Sequence, residues 1–177
     1  MAVLVRALPG TDNQMSGWQI VPESAARSTG SLLTYLRDWL RDLADAFGHD
    51  GGLQVSVLSD QADLAWVDPL EDAARLNIRA GGWADITLRA RLVRADHMVI
   101  NVAMIVRDDG TSTLARLTVV DPELPLSERR RYGWHLDATH PELGICHEHV
   151  RDSSGAQRTR PSTVRRIDQL LGPIRAF

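Results

Sequence analysis

The stretch "WADITLRARLVRADHMVINVAMIVRDDGTSTLARLTVV", residues 83–120, carries the pattern on which the fold turns. Ile86, Leu88, Ala90 and Leu92 alternate with Thr87, Arg89 and Arg91, the period-two signature of a strand with one covered face. A tight turn at Ala95-Asp96 leads into residues 97–107, apolar enough for a central strand. Asp109-Gly110 is a hairpin signal, and residues 111–120 read as the returning strand. Three consecutive strands joined by tight turns make an antiparallel meander.

Upstream, Leu32, Leu33, Leu36, Trp39, Leu40, Leu43 and Phe47 recur every three or four positions, with Arg37, Asp38, Arg41, Asp42 and Asp45 opposite them. That spacing predicts an amphipathic helix, stopped by Gly48 and Gly51-Gly52. Leu53, Val55 and Val57 predict a strand that ends at Ser59-Asp60. A short strand over residues 3–7 and a short helix over residues 69–76 complete the N-terminal part. Downstream, DPELPLS at 121–127 is a linker, residues 131–137 and 145–151 are strands, and residues 152–161 are a polar loop. Ser162 or Thr163 caps a closing helix containing Val164, Ile167, Leu170 and Leu171. The expectation is a single α+β domain over residues 1–177. It has an antiparallel sheet of five or six strands, an N-terminal amphipathic helix and a C-terminal helix. Residues 1–60 supply the first helix and strand, and 83–177 the sheet and a histidine-bearing hairpin.

An apolar fraction of 44% with 24% charged residues is ordinary for a soluble globular chain. The net charge of −3 gives no overall pull towards nucleic acid, yet it divides into −6 over residues 1–124 and +3 from 125 onward. All 20 basic residues are arginine, whose planar fork suits phosphate. The longest apolar run, residues 98–106, is broken by Asn101 and too short for a bilayer. The N-terminus lacks the pattern of a secretory signal. With Cys146 the sole cysteine, no intrachain disulfide can form. These features predict a cytoplasmic protein without a membrane partner.

The chemistry concentrates in "RYGWHLDATHPELGICHEHV", residues 131–150, which holds four of the six histidines. Alternation places Tyr132, Trp134 and Leu136 on one face of the first strand, and Gly133, His135 and Asp137 on the other. On the second strand Ile145, His147 and His149 share a face opposite Cys146, Glu148 and Val150. Pairing across the 138–144 loop sets His135 and Asp137 before His147 and His149, with His140 over the rim. Parity turns Cys146 away, so it reads as a small buried hydrophobe rather than a nucleophile.

Three readings fit this cluster. In the first, it cleaves RNA without a cofactor: His135, Asp137, His140, His147 and His149 exchange protons, since an unperturbed imidazole titrates near pH 6.5. Arg129, Arg130, Arg131 and Arg151 then hold phosphate, and Tyr132 stacks a base. In the second, the His-x-His pair His147 and His149, with His140, His135 or Asp137, binds zinc or another divalent metal. In the third, the chain is a non-enzymatic interaction or adaptor module whose histidines are structural.

The order Asp137-Ala-Thr-His140-Pro-Glu142, then His147-Glu-His149, resembles the TumE-type toxins of bacterial toxin–antitoxin systems. Tyr132 and Pro141 also match in order, and residues 164–171 resemble that family's closing helix. The resemblance covers the C-terminal half only, and Ala138 stands where the family commonly has asparagine. It implies a small α+β toxin with an RNA-directed activity and an antitoxin protein as partner. With it, the leading expectation is the RNA-cleaving toxin, ahead of the metal enzyme and the adaptor.

Overall fold

Leu32, Leu36, Leu40 and Leu43 are fully buried along one side of a single helix in the computed structural model of the chain. The structure describes residues 17–48, 53–56, 74–78, 84–137, 140–144, 146–152 and 154–177. In chain order the elements are β1 (Trp18–Gln19), α1 (Thr29–Phe47), β2 (Leu53–Ser56), β3 (Ala74–Ile78), β4 (Ala84–Arg94) and β5 (Val99–Arg107). There follow β6 (Thr111–Ser112), β7 (Leu114–Val120), β8 (Arg130–Leu136), β9 (Cys146–Arg151) and β10 (Gln157–Pro161). The chain closes with a 3-10 turn, Ile167–Leu170, running into one helical turn, α2 (Leu171–Ile174).

The architecture is α+β on an antiparallel sheet. Six strands form a continuous run in the order β4-β5-β7-β8-β9-β10. Beyond β4, the short strands β2 and β3 pair with separate stretches of its other edge, bringing the sheet to eight strands. One face of the run is apolar because alternation sends Ile86, Leu88, Ile100, Val102, Met104, Leu117, Val119, Trp134 and Leu136 to the same side. Against it pack α1 and the C-terminal Ile167, Leu170 and Ile174. Burying each such aliphatic side chain contributes roughly 1.5–3 kcal/mol. Two indoles tie the C-terminal segment down: Trp39 Nε1 donates to Ile167 O at 2.8 Å, and Trp134 Nε1 to Val164 O at 3.3 Å. Ser28 caps α1, its hydroxyl accepting from Ser31 N at 3.1 Å. Among the described residues no helix is long and apolar enough to cross a membrane.

Four local expectations change. The strand predicted over 111–120 divides: Thr111–Ser112 leaves the meander to pair with β1, and Leu114–Val120 returns along β5. Of the short helix predicted over 69–76, Ala74 to Leu76 lie in β3, and 69–73 are outside the described residues. So are the predicted strand at 3–7 and the continuation of β2 past Ser56. The polar loop predicted at 152–161 contains β10, an edge strand whose five side chains are all exposed, so no apolar alternation marks it. The C-terminal helix is a single turn, and Ser162 does not cap it. That buried hydroxyl donates to Glu148 Oε1 at 2.8 Å and accepts from Val164 N at 3.0 Å.

Candidate metal centre

The β8–β9 register decides which side chains meet. His135 stands opposite His147, and Gly133 opposite His149. All four lie on the face of the sheet away from α1, because Tyr132, Trp134, Leu136 and Cys146 take the core face by alternation. On that outer face Arg116 of β7 is in register with His135, and Thr159 of β10 with His149.

The imidazoles converge. Ring centroids are 5.3 Å apart for His135 and His147, 4.8 Å for His135 and His149, and 5.2 Å for His147 and His149. One nitrogen from each of these three lies within 4.8 Å of the others. His140 adds a fourth ring at the rim, 4.8 Å from His147 and edge-on to it. His147 is fully buried and His135 and His149 nearly so, whereas His140 is partly exposed and its Nδ1 lies 3.3 Å from Glu142 Oε1. A tetrahedral ion with bonds of 2.0–2.1 Å needs nitrogens roughly 3.4 Å apart. Holding such an ion would draw the nitrogens together by up to about 1.4 Å.

The polar accounting is unusual. Neither nitrogen of His147 makes a hydrogen bond, nor does Nε2 of His135, although all three are buried. Unpaired buried polar atoms are costly and rare in folded proteins. By contrast, His149 is steered from behind. Its Nδ1 lies 3.1 Å from Thr159 Oγ1 and 3.2 Å from the Gln157 amide. If Nδ1–H donates to Thr159, the lone pair of Nε2 stays available. Asp137 Oδ2 sits 3.9 Å from His135 Nδ1 and is gripped by Arg116 through Nε at 3.1 Å and Nη2 at 2.9 Å.

Burial, then the neighbouring His149 and Arg130, pushes His135 down to about 3. Burial, then Arg130 and His147, pushes His149 down to about 4. His147 is lowered as well, chiefly by burial. Neutral imidazoles are the form that ligates metals and the form that cannot donate a proton as a general acid.

The structure therefore brings His135, His147 and His149 together, with Asp137 and His140 beside them. It does not bring Tyr132, which lies on the core face, 4% exposed, its ring 5.8 Å from that of Phe177. Arg129 donates from Nε to Leu124 O, and Arg151 holds loop carbonyls of Ser127 and Gly155, so both brace turns rather than face the rings. Arg130 does face the cluster, and Arg131 is the extra residue of a bulge described below. Cys146 donates to Val164 O from the core side. Glu148, also on the core side, is held by Arg160 and Ser162. Ile145 lies outside the described residues. Sequence reasoning missed Arg116, Gln157 and Thr159. The parity of β7 carried a signal for Arg116, but nothing in a run of exposed polar residues marked the other two. Against known proteins, the chain matches no family model, no curated protein and no solved structure.

Proposed function

We propose that the chain is a metal-dependent hydrolytic enzyme in which His135, His147 and His149 hold one zinc-type divalent ion. The observation that carries this reading is the convergence of three imidazole nitrogens within 4.8 Å while the buried nitrogens of His147 and Nε2 of His135 lack any hydrogen bond. Three protein ligands leave one position of a tetrahedral ion to water, the arrangement of catalytic rather than structural zinc. An ion so placed would bring bound water to a pKa near 7 and supply hydroxide as nucleophile. Asp137, fixed by Arg116, stands 3.9 Å from His135 Nδ1, too far for a hydrogen bond, and would set a negative charge beside the ion. His140 stands at the rim, its ring 4.8 Å from that of His147.

The test is metal content and affinity. Full-length protein loaded with zinc and desalted is expected to hold one ion per chain. His147→Ala is expected to weaken zinc by more than the roughly 10–100-fold that loss of an outer partner costs. Zinc-free protein after loading, or a variant that binds as tightly as wild type, removes the reading.

A second reading has one observation in its favour, the cation Arg130 beside the rings. It is metal-free cleavage of RNA by the same histidines in a cytoplasmic toxin with an antitoxin partner, as the TumE resemblance implies. It requires a protonated imidazole near neutral pH, which burial opposes at His135 and His149. Ribonuclease activity that survives chelation would favour it over the metal enzyme.

A further inference from the structure

We infer that the centre takes an oxyanionic group, a phosphate or a carboxylate, held between the ion's open position and the Arg130 guanidinium. The inference rests on the metal reading and adds to it the chemical class of ligand.

The backbone is built to deliver Arg130 there. In plain alternation Arg130 would share the core face with Tyr132 and Trp134. The β7–β8 ladder instead shifts register: Val119 pairs with Tyr132, but Val120 pairs with Arg130, so Arg131 is an extra residue. Such a bulge re-aims the side chains that precede it. Val120 belongs to the outer face, and so, through this shift, does Arg130. Gly133 then lets the pieces close in. A Cβ built on Gly133 would lie 3.3 Å from His135 Nε2, 3.5 Å from His149 Cβ and 3.6 Å from Arg130 Cδ. The arginine stem, the His135 ring and the base of the His149 side chain thus meet over one residue that has no side chain. Arg130's charge accordingly bears on both His135 and His149.

Its guanidinium is also uncommitted. Among the described residues no side-chain hydrogen bond or ion pair engages it, whereas Arg116, the other cation of the cluster, is spent on Asp137. A cation set beside three neutral ligands does nothing for metal binding, since it repels the ion. It has a use when the fourth ligand is an anion, where a planar fork and a divalent ion grip two oxygens of one group. Neutral esters and amides would gain nothing from it.

The experiment titrates inorganic phosphate, and separately acetate, into zinc-loaded full-length protein by calorimetry, for wild type, Arg130→Gln and Arg130→Lys. Arg130 is only partly buried and is not a ligand of the ion, so all three are expected to keep one zinc per chain. Wild type is expected to bind at least one of the two anions, and Arg130→Gln to bind it about tenfold or more weakly. Arg130→Lys is expected to fall between, because it keeps the charge without the fork. Phosphate alone binding assigns the phosphoester source, and acetate alone the carboxylate source. Zinc-loaded wild type that binds neither anion, or an Arg130→Gln variant that binds as well as wild type, overturns this inference and leaves the metal reading standing. Protein that takes up no zinc overturns both.

Discussion

Thr159 is an exposed residue on an edge strand, yet it and Gln157 are the groups that fix the His149 ring. Removing the Thr159 hydroxyl while keeping its shape isolates that role. Thr159→Val is expected to lower zinc affinity roughly 10–100-fold with little change in unfolding midpoint, measured by competition with a chelator. Unchanged affinity would mean that the ring is held by packing alone. Protons give a second handle on the same residues. In the metal-free protein burial, with the adjacent rings and Arg130, holds His135 at about 3 and His149 at about 4. In the unfolded chain both return to about 6.5. Between those values the unfolded state binds protons that the folded state does not, so stability present at neutral pH declines as pH falls below about 6.5 towards 4. Urea midpoints of apo protein are expected to be lower at about pH 5 than at about pH 7, and the His135→Asn, His149→Asn double variant to flatten that difference. An unaltered slope in the double variant would assign the acid sensitivity to other groups. The convergence of these rings was legible from parity: positions 135, 147 and 149 share a face in any register that sets His135 against His147. Which arginine faces the rings was not. Arg129, Arg130, Arg131 and Arg151 look alike in sequence, and only a one-residue bulge and two loop carbonyl networks separate them.

At the scale of elements, the meander β4-β5-β7 was legible because one face of it is apolar and its turns carry their own chemistry. Asp109 Oδ1 accepts from Thr111 N at 2.9 Å and from Thr111 Oγ1 at 2.6 Å. Gly110 follows with φ of +81°, a conformation that side-chain-bearing residues rarely adopt. A Cβ there would also fall 2.6 Å from Gln19 Nε2 and 2.7 Å from Val21 Cγ2. Gly110→Ala is therefore expected to cost at least about 1–2 kcal/mol in denaturant unfolding, from strain before any clash is added. A variant as stable as wild type would show that the turn relaxes around the methyl group. Strand β10 is the converse case. Gln157–Pro161 is in register with β9 along its whole length while all five of its residues are exposed. Its Pro161 and arginines are what an edge strand uses to discourage further pairing, and they read in sequence as loop. Strand β3 failed for a related reason: Ala74–Ile78 mixes Arg75 and Asn77 with apolar residues, and at five residues neither period dominates.

Over the whole molecule, the sheet separates two tasks. The face towards α1 buries the aliphatic core, whereas at β8 and β9 the opposite face buries imidazoles of which both nitrogens of His147 and Nε2 of His135 make no hydrogen bond. A domain gains nothing in stability from such atoms, so the cluster should oppose folding until something binds it. That expectation separates a functional centre from a structural one. In metal-free protein His147→Leu replaces a fully buried ring, both of whose nitrogens are unpaired, by an apolar group of comparable size. It is expected to raise unfolding stability by about 1–3 kcal/mol. Zinc at a hundredfold excess over its dissociation constant is expected to stabilise wild type by about 2.7 kcal/mol and to leave the leucine variant where it was. The two stability curves should then approach or cross as zinc is added, read as chemical denaturation at several zinc concentrations. A leucine variant several kcal/mol less stable than apo wild type would make His147 a packing residue, and parallel curves would mean that the ion binds elsewhere. Only a centre whose ligands are held in place at the expense of the empty fold gives the approach or crossing.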